Sequence, residues 1–502
     1  MKGQRKLNAK IKSAVAKYRC DPKVLRRLTR SLRHPESRKA CRLCAKQLLN
    51  LEPNSIDAIA SLIFAYADGR GKLRMALDLA HQRSQRDLNL FNKILDKACK
   101  NLGVDERIKL NDLLHNYNNE SAEIAQRQQI NLRAQHRFLE RTDVEANSCD
   151  VIAVASNEGP YVTEFIHHYL YQGFSNLFIG LNNDTSGQTG PIIAAIAKHY
   201  PQVRLINTDQ EHQQGKQRGS YCKLYEEASK ITKASHCMVV DVDEFWVAYP
   251  LHTTVKEFLT AHPQADVISS NWLHCHRGKL FDNPLDLSNT RLELTNQFKS
   301  LFRYGIAMTD LGAHVPTVLA KPKIQHTISD GQAVLSKNIN GLQRLTKRGI
   351  QACIHTANTG WVIHRHTRSE LEYAAKLLHP DVNKPESPFK PNRGGYLLRE
   401  ESVDSRQLST NLLGLTHQAP QAYINSLDAF IDRCGIRDLI TAARAEIGEE
   451  QIIKRILAMD PDLIRSCRMI WKRTFQGTRF LELLEECCSR ATLNRSPRAT
   501  RS

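Results

Sequence analysis

The chain has 502 residues, of which 41% are apolar and 25% charged, with a net charge of +19. That length predicts two to four domains, and that balance predicts a soluble globular protein. No run nears the ~18 apolar residues of a membrane span, the best being ASLIFAYA at 60–67, and no apolar segment follows the basic N-terminus as a secretory signal requires.

Residues 1–34 read as a basic helical arm, with Leu7, Ile11, Val15 and Tyr18 at helical spacing among Lys6, Lys10, Lys12 and Lys17. Residues 1–50 hold 16 Lys/Arg against two acids, Asp21 and Glu36, and Arg490, Arg495, Arg498 and Arg501 crowd the other end. Such ends are drawn to acidic surfaces, so peripheral contact with an anionic membrane at its cytoplasmic face is one reading of the arm, but its apolar face is thin and a solvated arm or a helix docked on its own protein is preferred. No specific nucleic acid is expected, because no basic stripe interleaves with aromatics in the middle of the chain.

Residues 35–146 read as an α-helical accessory domain. The stretch RKACRLCAKQLLNLEPNSIDAIASLIFAYADGRGKLRMALDLA is similar to a degenerate tetratricopeptide unit, with Ala40, Ala45, Pro53, Ala58, Leu62, Tyr66, Ala76 and Ala80 near the expected period. Within it, Cys41-Arg-Leu-Cys44 has no second pair nearby, so a buried helix face is expected there rather than zinc or redox chemistry. The 13 cysteines are scattered and odd in number, which suits reduced thiols in a cytoplasmic compartment.

Near Cys149 the texture changes. The β-rich runs CDVIAVA (149–155), LFIGL (177–181), VRLIN (203–207) and HCMVVDV (236–242) alternate with helical patterns such as YVTEFIHHYLYQG and GPIIAAIAKHY. That alternation predicts βαβ crossovers and a mostly parallel sheet, whose ligands bind at the carboxyl ends of the strands. Polar clusters follow all four runs: Ser156-Asn157-Glu158, Asn182-Asn183-Asp184, Asn207-Thr208-Asp209 and Asp241-Val242-Asp243. From residue 400 to 502 the pattern is helical again with a basic tail, and a structural or oligomerising role is expected.

In CMVVDVDEFWV (237–247), three carboxylates follow a buried run. Residues two apart in an extended strand point the same way, so Asp241 and Asp243 can share one oxygen-seeking cation. Mg²⁺ or Mn²⁺ would suit that pair and would keep open positions for phosphate oxygens. Glu244 is expected to accept backbone hydrogen bonds instead.

The stretch from Cys149 to about Tyr396 resembles the nucleotide-sugar glycosyltransferases of the GT-A fold, in their family 2-like branch. The resemblance rests on VASNEGPYVTEFIHHYLYQGFSNLFIGLNNDTSGQTG, GKQRGSYCKLYEEA, VVDVDEFW, DVISSNWL, FKSLFR, GAHVP and VIHRHTRSELEYAAKL, in that order. It implies an α/β, Rossmann-like GT-A domain at 147–399, flanked by α-helical N- and C-terminal regions. It also implies a nucleotide-diphosphate sugar donor, a glycan or lipid-linked acceptor and an inverting transfer. On that reading Asp241, Asp243 and His364, preferred to His366, hold the metal, while Asn157, Glu158, Asp184, Gln217 and Tyr221 line the donor. Trp272, Lys299 and His314 would touch substrate. Asp282, Glu293 and Asp310 follow the metal strand, and none stands out as the catalytic base. Ser156 stands where the family often has a basic residue, and LHCHRGKLFD (273–282) departs from its aromatic-Gly segment. His274, Cys275 and His276 there suggest an altered acceptor pocket. Strand alternation turns Cys275 away from the two histidines, so a zinc trio of these neighbours is not expected. The alternative reading is a nucleic-acid- or partner-binding scaffold whose transferase-like domain is catalytically silent.

Overall fold

Alternation along residues 145–155 sets the architecture. Cys149, Val151, Ala153 and Ala155 face one hydrophobic cluster, whereas Ile152 faces a second, with Val154 packed against it. A strand apolar on both faces must be covered on both, which calls for helices above and below a sheet. The computed structural model describes residues 21–32, 38–52, 55–66, scattered positions between 76 and 127, and 129–493 apart from 277, 288–290, 307, 319–323, 335, 340–341, 346–358, 380–386, 392 and 397–419.

The chain forms two units, Met1–Ile124 and Ala125–Ser502. The first contains α1 (Pro22–Ser31), α2 (Arg38–Leu51) and α3 (Ile56–Tyr66). Its core includes Leu25, Leu48, Ile59, Ile63 and Phe64. Cys41 and Cys44 are buried in that core, and burial pushes the Cys44 thiol up to about 11, which suits a packing role. The basic arm's Leu7, Ile11, Val15 and Tyr18 and most of the proposed repeat after Tyr66 lie outside the described residues.

The second unit is α/β. Its strands are β1 (Glu145–Ala155), β2 (Leu177–Leu181), β3 (Val203–Asn207), β4 (Ala234–Asp241), β5 (Glu244–Ala248), β6 (Val267–His276) and β7 (Arg291–Arg303), then the short β8 (Met308–Leu311) to β12 (Leu342–Leu345), and β13 (Gly360–His364). The central sheet runs β3-β2-β1-β4-β7-β6-β13-β5, with β10 (His326–Ile328) also paired to β6. Helices α4 (Val162–Tyr171), α5 (Thr189–His199) and α6 (Asp209–Ile231) make the crossovers of the first four strands.

The expected mostly parallel sheet is in fact mixed. β1, β2, β3 and β4 run parallel, but β7 is antiparallel to both β4 and β6, and β5 is antiparallel to β13. Among the described residues between β6 and β7 there is no helical crossover, and the chain returns antiparallel. β5 follows β4 after Val242 and Asp243 alone yet stands at the end of the strand order, with β7, β6 and β13 between them, so the sheet curls round to bring them together.

A helical stretch at 129–139 belongs to the second unit and packs within it through Ala134 and Phe138, the latter stacked on Tyr304 at 5.0 Å. The C-terminal helices, from α9 (Gln421–Cys434) to α14 (Phe480–Leu493), join the sheet's own core through Tyr423, Phe430, Ile440 and Trp471. Each fully buried aromatic or aliphatic side chain of this kind contributes roughly 1.5–3 kcal/mol. Among the described residues, no helix is long and apolar enough to cross a membrane.

Candidate functional site

Register brings the four parallel strand ends level: Ala155 pairs with Leu181, Leu181 with Asn207, and Val154 with Asp241. The polar clusters therefore share one sheet edge, but they do different things. Asp184 is spent on the fold. Its Oδ2 accepts from Thr189 and Gly190 N–H at 3.0 and 3.2 Å, and its Oδ1 accepts from Thr189 and Ser186 hydroxyls at 2.8 and 2.9 Å, holding the N-terminus of α5. Asn157 adopts a left-handed φ of 56°, which asparagine tolerates. Its Oδ1 accepts from Thr185 Oγ1 and Ser186 N at 3.1 and 2.8 Å, tying the β1 loop to the β2 loop.

The inner ends, β1 and β4, carry the charge. Asp241 Oδ1 accepts from Gln217 Nε2 and the Tyr221 hydroxyl, each at 2.9 Å, while Lys299 Nζ reaches Oδ2 at 3.3 Å. The second half of α6 delivers Gln217 and Tyr221 because the helix breaks at Lys216, where φ is 53°. Gly219 lets the two halves close up: a Cβ there would lie 2.3 Å from the Glu211 carbonyl oxygen. Gln217 and Tyr221 thus bind Asp241 itself.

Lys299 comes from β7 and is fully buried. It also meets Glu244 Oε2 at 2.8 Å, and that same oxygen accepts from the Asp241 N–H at 2.9 Å. Burial would raise Asp241's carboxyl, but Lys299 and the Tyr221 hydroxyl bring it below its ordinary value. Burial pushes Glu244 well up, beyond what Lys299 recovers, with Asp241 and Asp243 adding to the rise. One ammonium therefore serves an ionised Asp241 beside a carboxyl that resists ionisation.

Asp243 has its own cation. Lys376, from α8 (Glu370–Leu377), donates to Oδ2 at 2.9 Å, and His364 Nε2 lies 3.5 Å from Oδ1. Burial opposes ionisation, yet Lys376, His364 and Arg368 outweigh it and hold Asp243 well below the usual range. His364 ends β13, where register sets it between Glu244 of β5 and His274 of β6. A capping box at Ser369 and Glu372 starts α8 and fixes where Lys376 points.

Glu158 feels the same groups. Burial raises its carboxyl, Lys376 lowers it and Asp243 raises it further. Around these acids stand Arg368, whose guanidinium lies 3.8 Å from the Tyr161 ring and whose Nη2 is buried without a partner, and Lys390, pushed down to about 8 by burial and then by Lys376 and Arg393. Lys376, Arg368 and Lys390 were not singled out from the sequence. The first two sit in VIHRHTRSELEYAAKL, where their basic character was the available signal.

Trp272 is buried, its ring centroid 4.4 Å from His364 and 4.9 Å from His314, with Lys299 Nζ 5.8 Å from the ring. It is an interior wall of the site and presents no open sugar platform. His314 Nδ1 bonds the Phe298 carbonyl at 3.0 Å, and burial, then Lys299, push its imidazole down to about 4. His366 lies beyond the end of β13 and stacks on His274 at 5.3 Å. The three acids weighed as a base are all engaged: Asp310 by Arg127 and Arg218, Glu293 by His276, and Asp282 near Arg365.

The oxygen and imidazole donors of Asp241, Asp243 and His364 match Mg²⁺ or Mn²⁺ in kind. They do not converge here: among the described residues, only His274, His276 and Glu293 place ligand atoms of three residues within 4.8 Å of one another. A divalent ion would have to displace Lys376, whose side chain is 27% exposed, while Lys299 at 0% would stay. In donor chemistry, though not in the arrangement they hold here, the residues present fit the ion. Compared with known families and with curated proteins, the sequence matches no family model and no individual protein.

Proposed function

We propose that the second unit is a GT-A-type, metal-dependent glycosyltransferase that takes a nucleotide-diphosphate sugar and passes its sugar to a glycan or lipid-linked acceptor. One observation carries this reading: carboxylates at two parallel strand ends face a cationic set of half-buried Lys376 and Lys390 and buried Arg368, one nitrogen of which has no partner. A set of that kind suits a ligand bringing phosphate charge and a divalent cation together.

Arg368, Lys376 and Lys390 would bind and orient the diphosphate and offset the charge that grows on it as the glycosidic bond breaks. Mn²⁺ or Mg²⁺, held by Asp241, Asp243 and His364, would supply Lewis-acid stabilisation of that same charge. Gln217, Tyr221 and Lys299 hold Asp241 in place, and buried Trp272 excludes water from its side of the pocket. The silent-scaffold alternative draws on the lysines already neutralising both aspartates. Calorimetry with a panel of nucleoside diphosphates, with and without Mn²⁺, separates the two. Metal-dependent binding that is lost in the Asp241→Ala/Asp243→Ala double variant supports the transferase. Absence of nucleotide binding in both conditions, or sugar transfer undiminished in that variant, overturns it.

A further inference from the structure

His274, His276 and Glu293 take no part in the proposed transfer. Two-residue spacing in β6 puts both imidazoles on one side, and the β6–β7 register sets Glu293 directly across from His274. The partner that completes the trio comes from the neighbouring strand, and Cys275 faces away from it. His276 Nε2 already lies 2.9 Å from Glu293 Oε2, and one ligand atom from each residue falls within 4.8 Å of the others. Ligand atoms on a tetrahedral zinc with bonds of ~2.0–2.1 Å stand roughly 3.3 Å apart, so small side-chain rotations close the set.

A second observation points to a ligand. His274 Nε2 is buried with no hydrogen-bond partner, a state that a metal bond would relieve. His366 lies flat against the His274 ring, 9° from parallel, which fixes the ring plane. The side chains of His276 and Glu293 remain 15% and 34% exposed, leaving an entry path and room for water. Arg393 opposes a cation here, whereas Asp243 and Glu293 favour one.

We propose that His274, His276 and Glu293 form a Zn²⁺ site with one open coordination position, separate from the Asp241–Asp243 pair. Two imidazoles and one carboxylate select a borderline divalent ion over Mg²⁺ or Ca²⁺. The test uses the full chain after chelator dialysis, in the Asp241→Asn/Asp243→Asn background, so its outcome does not depend on the transferase reading. Co²⁺ serves as the spectroscopic probe. Stoichiometric Co²⁺ should give visible d–d absorption that Zn²⁺ then abolishes, and His276→Gln or Glu293→Gln should weaken Co²⁺ binding by more than about 100-fold. Near-UV circular dichroism confirms that each variant is folded before its titration is read. No d–d absorption at stoichiometric Co²⁺, or absorption unchanged in both folded variants, overturns the proposal.

Discussion

Replacing Lys299 by methionine keeps most of the side chain's length and removes its charge. In the parent, Nζ stands 3.3 Å from Asp241 and 2.8 Å from Glu244, and the side chain is fully buried. At an effective dielectric of about 20, an ion pair at such distances is worth roughly 5 kcal/mol. Losing the ammonium also removes its desolvation cost, several kcal/mol. Breaking a buried pair from one side has a net cost of ~3–5 kcal/mol, because the remaining charge is left without a partner. Lys299→Met should therefore lose about that much in urea unfolding followed by near-UV circular dichroism. Adding Glu244→Gln should restore a substantial part, since one of the two orphaned carboxyls is then gone. The deficit should also shrink towards pH 4: without the cation both carboxyls titrate above their unfolded values, so stability is lost as pH rises past about 4. A single variant within about 1 kcal/mol of the parent at pH 7, or a double variant worse than the single, would refute Lys299 as the buried counter-ion.

Gly219→Ala forces a Cβ against the Glu211 carbonyl oxygen at 2.3 Å, so the halves of α6 must part; a loss of about 1–3 kcal/mol is expected in thermal unfolding, with weaker nucleotide binding by calorimetry. Asp243 is held ionised well below its ordinary range by Lys376, His364 and Arg368 against burial. Its contribution is therefore present above about pH 4 and lost as pH falls, and Asp243→Asn should flatten the acid limb of a stability–pH curve. Asp150 has the opposite slope: burial pushes it up to about 6 despite hydrogen bonds from Asn176 and Tyr304. Stability falls as that group resists ionisation between about pH 4 and 6, so Asp150→Asn should gain roughly 2–3 kcal/mol at pH 7 and nothing at pH 4, read from the same urea curves.

The sheet's parallel half was legible because strands buried on both faces are written as short apolar runs ending in polar clusters. LFIGL and VRLIN coincide with β2 and β3 residue for residue. The expected bond from backbone to Glu244 is also present, since a carboxylate three residues past a buried strand end can reach back to it. The antiparallel half was not legible: the direction of β7 depends on where a return loop places it, and a run such as FKSLFR carries no mark of that. Asp184 shows the complementary limit. An aspartate just before a helix satisfies a ligand-binding pattern and a capping pattern equally well, and the sequence alone does not show the bonds to Thr189 that Asp184 makes.

The charged centre shows why its other half escaped the sequence. DVDE states a local need, because carboxylates buried together are tolerated only beside cations. The cations that meet it stand far off in the chain: Lys299 lies 58 residues from Asp241, and Lys376 lies 133 from Asp243. No periodicity links such positions: the resemblance named Lys299 only as a substrate contact, and with lysine and arginine so frequent in this chain the mere presence of Lys376 does not distinguish it. Burial does distinguish them. A lysine with no exposed surface, or an arginine nitrogen buried without a partner, is there because other charges hold it. The same reasoning joins Glu293 to His274 and His276, where strand pairing supplies the partner that sequence adjacency does not.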